Sequence, residues 1–261
     1  MASILRKLFR RKKQAPLVCS VSLDDHGNPI GDDPSHQHTS ACFISFEPLA
    51  VVELFQSQGC KSCPPAIPGI QDATSHPNLL LLTYDVTIFD HLGWKDTFAM
   101  PASDQRQRAY VKRWDRTSLF TPQIVVNGVV DGSGAGGKDE VDGIVGRGRE
   151  IQRAMDWHIY VDANDTDVRI DSDKYEIEPH DILLVLYNHK EETVKIGKGP
   201  NKGKKVKHRN VATNIIKIGE WAGGNLVTPL PAPKSSMEPG QDAAILVQQG
   251  AGGPIIAVAK V

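Results

Sequence analysis

Two cysteines separated by two residues, Cys60-Lys61-Ser62-Cys63, are the part of this 261-residue sequence best suited to chemistry. A C-x-x-C pair can be half of a zinc site, a redox couple or two small buried side chains, and its neighbours discriminate between these. It follows a short apolar run, Ala50-Val51-Val52-Glu53-Leu54-Phe55, that predicts a buried strand. After it, Pro64-Pro65-Ala66-Ile67 predicts a helix start, since prolines are tolerated in a first turn where the missing N–H is unpaired anyway. A cysteine at a helix N-terminus has its thiolate stabilised by free N–H groups and the helix dipole, and Lys61 adds a cation. Cys60 is therefore the candidate nucleophile. Cys63, one turn on and less exposed, is the candidate resolving thiol. A structural zinc site usually takes four ligands in two close pairs. The other clustered candidates, Cys19, His36, His38 and Cys42, lie in a turn-rich segment without a second close pair. No metal and no organic cofactor is therefore expected, and Cys19 and Cys42 read as bystander thiols.

The elements that must position this pair follow from pattern. Asn78–Tyr84, with four consecutive leucines, predicts a second buried strand. Ser103–Asp115 predicts an amphipathic helix with Tyr110, Val111 and Trp114 on its apolar stripe, and Arg106, Arg108, Lys112 and Arg113 on its solvated face. Phe120-Thr121-Pro122-Gln123 leads into Ile124–Val130, where Asn127-Gly128 is a hairpin signal. A glycine-rich turn over 131–137 leaves that hairpin, and a helix follows from about Lys138 to Met155. The order strand, C-x-x-C helix, strand, helix, Thr-Pro strand hairpin, helix is that of a thioredoxin-like α/β domain. There the Thr-Pro pair faces the dithiol with a cis peptide, so Thr121 and Pro122 are expected to shape a substrate groove. Trp94, in the 85–100 segment with His91, is expected either to join that groove or to clamp its loop down. Beyond Trp157, short β-favouring runs alternate with turn residues and predict a β-rich, sandwich-like domain. The expected organisation is a basic arm and flexible linker over 1–45, a thioredoxin-like domain over 46–156, and the sandwich-like domain over 157–261.

Charge limits the partners. The chain carries −1 net, yet its first thirteen residues hold six cations and no acid, so the rest carries −7. A nucleic-acid partner is thus not expected. Residues 1–13 read as a basic tail, or as a short helix making weak contact with an anionic membrane. Lys195–Arg209 holds seven cations and no acid. It reads as a solvated hairpin loop, or as a contact for phosphate, nucleic acid or anionic lipid. Gly132–Gly137 lacks the Gly-Lys-Ser/Thr of a phosphate loop and reads as a flexible turn. No apolar run approaches the ~18 residues of a spanning helix, and no apolar signal-peptide core of ~7–15 residues is present. A cytoplasmic location is expected, where such a pair stays reduced or cycles.

The chain resembles the DUF1223 family of thioredoxin-like proteins. The resemblance is carried by Glu53–Pro65, Leu92-Gly93-Trp94-Lys95-Asp96, Arg106–Tyr110 and Thr121–Gly128. Further motifs are His208-Arg209-Asn210-Val211, Leu230-Pro231-Ala232-Pro233 and Gly252-Gly253-Pro254-Ile255. It covers about residues 50–261 and implies a thioredoxin-like fold followed by a β-rich module, with no substrate attached. Asp85-Val86-Thr87 stands where the family usually has His-Val-Asp, so a histidine serving the site from there is missing. Pro68-Gly69 predicts a short or kinked helix after the dithiol. The function expected is thiol–disulfide exchange with a protein or small-molecule thiol or disulfide. A non-catalytic module using the pair for metal binding or redox sensing fits the same residues.

Overall fold

The computed structural model describes residues 48–155 and 159–261. Several sequence readings lie outside the described residues: the arm and linker, together with Cys19, His36, His38 and Cys42.

Strand β1 (Ala50–Gln56) is buried along its whole length, as is β2 (Leu79–Asp85). Continuous apolar runs of this kind belong to central strands covered on both faces. They pair in parallel, and helix α1 (Cys63–Ala73) makes the crossover between them. After α2 (Pro101–Arg113), β3 (Gln123–Val126) pairs antiparallel to β1, and β4 (Val130–Ser133) returns along β3. Asn127 and Gly128 both have positive φ, 49° and 63°, as the central residues of a tight turn closed by Val129 N–H on the Val126 carbonyl require. Helix α3 (Lys138–Ala154) closes this half.

The helices divide between the faces of the sheet. Ala66 and Ile70 of α1 and Val141 and Ile144 of α3 pack on Val52, Leu54, Ile124 and Val126. On the other face, Tyr110 of α2 packs with Phe55, Leu82, Tyr84 and Val125. Helix α1 runs on through Pro68-Gly69 to Ala73. Gly69 lets the two helices approach, since a Cβ there would lie 2.9 Å from the Lys138 nitrogen. Arg106 is not on the solvated face, although Arg108, Lys112 and Arg113 are exposed. It is buried, with Nε 2.5 Å from Glu53 Oε1 and Nη1 donating to Gln248 Oε1. Tyr110 Oη donates to the other oxygen of Glu53. The apolar stripe of α2 thus carries one cation because β1 supplies a buried carboxylate to meet it.

The second half adds β5 (Ile159–Ala163), β6 (Asp167–Ser172), β7 (Tyr175–Asn188), β8 (Glu192–Lys195) and β9 (Lys205–His208). It continues with β10 (Val211–Gly223), β11 (Leu226–Pro229), β12 (Gln241–Gln248) and β13 (Ile255–Lys260). Eight strands form one sheet in the order β13-β12-β7-β10-β2-β1-β3-β4. The β11-β6-β5 sheet contributes Val168 and Ile170 to a core shared with Ile182, Trp221, Ile245 and Val247. This second sheet packs over part of the large one. Residues 48–261 form one compact unit in place of two domains meeting near 156. The join is at β2, whose free edge would otherwise be exposed. Val211 pairs with Thr83, Thr83 N donates to Asn210 O, and Asn210 Nδ2 donates to Leu81 O. No helix among the described residues is long and apolar enough to cross a membrane.

Candidate functional site

The dithiol lies between the end of β1 and the first turn of α1. Cys63 is the first residue of the helix, and Lys61 and Ser62 are exposed. Cys60 is 3% exposed and Cys63 1%, and both are free thiols. In its thiol form Cys60 Sγ donates to the Thr121 carbonyl, 3.3 Å away. The Thr121-Pro122 peptide is cis, and Pro122 is buried. Thus Cys60, Cys63, Thr121 and Pro122 are brought together.

The two thiols differ electrostatically. The Cys60 pKa is lowered from 9.0 to about 6: a hydrogen bond from Cys63 outweighs burial, with further help from Thr121 and the backbone at Ser62 and Cys63. Cys63 is pushed well above its ordinary value, first by burial and then by donating to, and sitting beside, the Cys60 sulfur. The Thr121 hydroxyl is buried with no other partner, so it is available to the Cys60 thiolate. A thiolate first and a thiol second is the order that nucleophilic attack and resolution require.

Trp94 is tied to the dithiol segment and to the β8–β9 hairpin. Its Nε1 donates to Gln58 Oε1 at 2.8 Å, and its ring packs with Ile67, Val194, Ile196 and Val206. It clamps the 92–98 loop between the dithiol segment and the β8–β9 hairpin. His91 is exposed.

That hairpin is the segment whose placement departs most from expectation. Its strands pair as expected and its lysines are exposed, but its tip is docked on the dithiol segment. Asn201, at the tip, is fully buried and donates from Nδ2 to Gln58 O at 2.9 Å and to Cys60 O at 2.6 Å. Gly197 abuts Trp94 so closely that a Cβ would lie 2.7 Å from its ring. Asparagine in a Gly-Pro-Asn-Lys-Gly context has the composition of an ordinary turn, so its burial leaves no local signal.

Behind the loop is a buried polar cluster that sequence reasoning missed. Asp96 accepts from the backbone N–H groups of Gln58 and Phe98. His208 lies with Nδ1 3.3 Å from Asp85 Oδ1 and 2.8 Å from Gln56 Nε2. Burial and the neighbouring Asp85 charge push Asp96 up to about 7. For His208, burial works against the charged form, but the hydrogen bond and charge of Asp85 with the charge of Asp96 outweigh it, so its pKa is raised. A histidine missing from the 85–87 position is thus present beside Asp85 all the same, supplied by the end of β9. Asp96 and His208 were within quoted motifs, which was the available signal. Among the described residues no group of three or more His, Cys, Asp or Glu is placed to hold a metal ion.

A family model described as "Protein of unknown function (DUF1223)" matches residues 51–248, spanning strand β1, the dithiol, the Thr121-Pro122 bend and most of the second half. The chain belongs to the DUF1223 family. Among solved structures, this DUF1223 chain is similar to an Agrobacterium tumefaciens protein determined by X-ray crystallography, with 28% identity and a TM-score of 0.64 over 82% of this chain and 95% of that one. It is also similar in fold to HBP35 of Porphyromonas gingivalis, at 14% identity and a TM-score of 0.54 over 83% of this chain and 76% of that one. None of the curated proteins matches it.

Proposed function

We propose that this DUF1223 protein is a thiol–disulfide oxidoreductase built on a thioredoxin-like core, with Cys60 attacking and Cys63 resolving. The core consists of β1–α1–β2–α2–β3–β4–α3, in the sheet order β2-β1-β3-β4 with helices on both faces. The observation that carries the reading is the Cys60 sulfur, 3.3 Å from the carbonyl before Pro122 and three residues ahead of Cys63 at the start of α1.

The Cys60 thiolate attacks one sulfur of a disulfide RSSR, forming Cys60–S–S–R and releasing RS⁻. Cys63 then loses its proton and attacks Cys60 Sγ, releasing the second RS⁻ and closing a Cys60–Cys63 disulfide. Two electrons pass from the dithiol to the substrate, and both leaving thiolates take up protons from water. The same steps in reverse oxidise a substrate dithiol. The Thr121 hydroxyl holds the thiolate, and the backbone beside Pro122 is where an extended substrate segment would lie.

The test is a redox titration of the full-length protein followed by mass spectrometry. A Cys60–Cys63 disulfide should form reversibly, Cys63→Ser should accumulate a mixed disulfide at Cys60, and Cys60→Ser should lose exchange. A protein that forms no Cys60–Cys63 disulfide at any poise would refute the reading.

A further inference from the structure

We propose that the disulfide substrate of this site carries carboxylates beside its S–S bond, received by lysines around the tip of the β8–β9 hairpin. The inference rests on the thiol–disulfide reading above and names the substrate class for the same site.

A basic run alone specifies no ligand. What matters here is where the fold puts it. Asn201 ties the tip to the carbonyls of Gln58 and Cys60, and Gly197 and Gly199 seat it on Trp94 and the Leu92 carbonyl. Lys204 Nζ lies 3.0 Å from Asn201 Oδ1, and Asn201 Nδ2 lies 2.6 Å from Cys60 O. Lys198 and Lys202 are on the same docked tip. Lys61 stands inside the dithiol loop, and Lys95 follows the clamped tryptophan. All five are exposed, and none has a carboxylate within ion-pair distance among the described residues.

Of the nearby acids, Asp90 accepts from the Asp96 backbone N–H. Asp96 is buried on two backbone N–H groups. Glu191 and Glu192, at the base of the hairpin, meet Lys207 and Asn188. Five ammonium groups without a carboxylate partner among the described residues thus gather on the dithiol loop, the clamped tryptophan loop and the hairpin tip tied to them, with Lys204 held by Asn201 Oδ1. Such a cluster raises the local concentration and encounter rate of anions. Bases would need aromatic platforms to stack on; Trp94 is half-buried with its Nε1 already donating to Gln58, and Phe89, against Gly59, is half-buried and paired with His91. Carboxylates therefore fit better than nucleic acid.

The test uses the reduced full-length protein with two small disulfides, dianionic 3,3′-dithiodipropionate and dicationic cystamine. Each rate is divided by that of dithiothreitol with the same reagent, which removes the difference in leaving group. At low ionic strength the normalised preference for the dianion should be about tenfold. It should fall toward one as salt shortens the Debye length from ~30 Å at ~0.01 M to ~3 Å at ~1 M. The triple variant Lys95→Glu, Lys198→Glu, Lys202→Glu, with thermal unfolding checked, should reverse the order. The triple variant Arg108→Glu, Lys112→Glu, Arg113→Glu on α2 should not. A preference of one or less at low salt, or one that the hairpin variant leaves unchanged, overturns the proposal. So does tight binding of a fluorescent oligonucleotide lost in that variant without any disulfide preference. If neither disulfide yields Cys60–Cys63, the oxidoreductase reading fails by itself. The ratio of iodoacetate to iodoacetamide alkylation at Cys60 then still reports the local field, and an unenhanced ratio overturns the charge inference.

Discussion

Asn201→Leu should destabilise the protein although the residue sits in a glycine-rich, lysine-rich loop where substitution is ordinarily tolerated. In the native protein its amide is fully buried and holds the carbonyls of Gln58 and Cys60. Leucine is similar in volume but removes both donors, leaving two buried acceptors unpaired at about 1–3 kcal/mol each. Allowing for partial relaxation of the loop, the expected loss is about 2–4 kcal/mol. For a unit of this size about 1 kcal/mol moves Tm by roughly 2–4 °C, so the midpoint should fall by about 5–15 °C. Lys202→Leu, one residue along and exposed, should stay within about 0.5 kcal/mol. The assay is chemical denaturation of both variants beside wild type, with hydrogen exchange over residues 57–63. Asn201→Leu should lose protection there first. A loss below about 0.5 kcal/mol would refute the claim that the hairpin tip holds the dithiol loop.

Three further outcomes follow from the same geometry. The rate of Cys60 alkylation against pH should show an inflection near about 6, and Thr121→Val should move it upward; an inflection at the ordinary thiol value of 9.0 would remove the activated-nucleophile argument. Glu53→Gln strands the buried Arg106 guanidinium and should cost about 3–5 kcal/mol in denaturant midpoints, whereas an exposed pair such as Lys138–Asp142 should cost under about 1 kcal/mol. Asp96 and His208 both have raised folded-state pKa values, so their contribution is full at acid pH and declines with rising pH. For Asp96 the decline runs from its ordinary 3.8 to about 7, and for His208 it runs upward from 6.5. Asp96→Asn should therefore flatten the fall in stability between about pH 4 and 7, and an unchanged slope would contradict the assignment.

The elements around the dithiol were legible because their signals are local. Four leucines at 79–82 mark a strand buried on both faces, Asn127-Gly128 supplies the positive φ a tight hairpin needs, and Pro64-Pro65 marks a helix start. What stayed hidden depends on partners far away in sequence. Arg106 has the spacing of a solvated residue until Glu53, fifty-three positions earlier, is placed opposite it. The pairing of β10 with β2 has no signature in either strand, so the continuous sheet across residue 156 could not be anticipated. His208 and Asn201 lie in a run whose charge suggests solvent, and only the docked hairpin turns them inward. At the candidate site the cysteines and Thr121-Pro122 were readable, while the residues that hold their loop were not.

The distance along the chain between Cys60 and Asn201 has a consequence for synthesis. A ribosome finishes β1, the dithiol and the Thr121-Pro122 bend well before it reaches the hairpin that closes over them. In that interval β2 has an open edge and the carbonyls of Gln58 and Cys60 lack the donor they will later share. A nascent chain halted after α3 would thus carry both cysteines in a loop not yet tied down, on a sheet able to pair with a stranger's strand. The dithiol is made early and completed late, when the β8–β9 hairpin arrives.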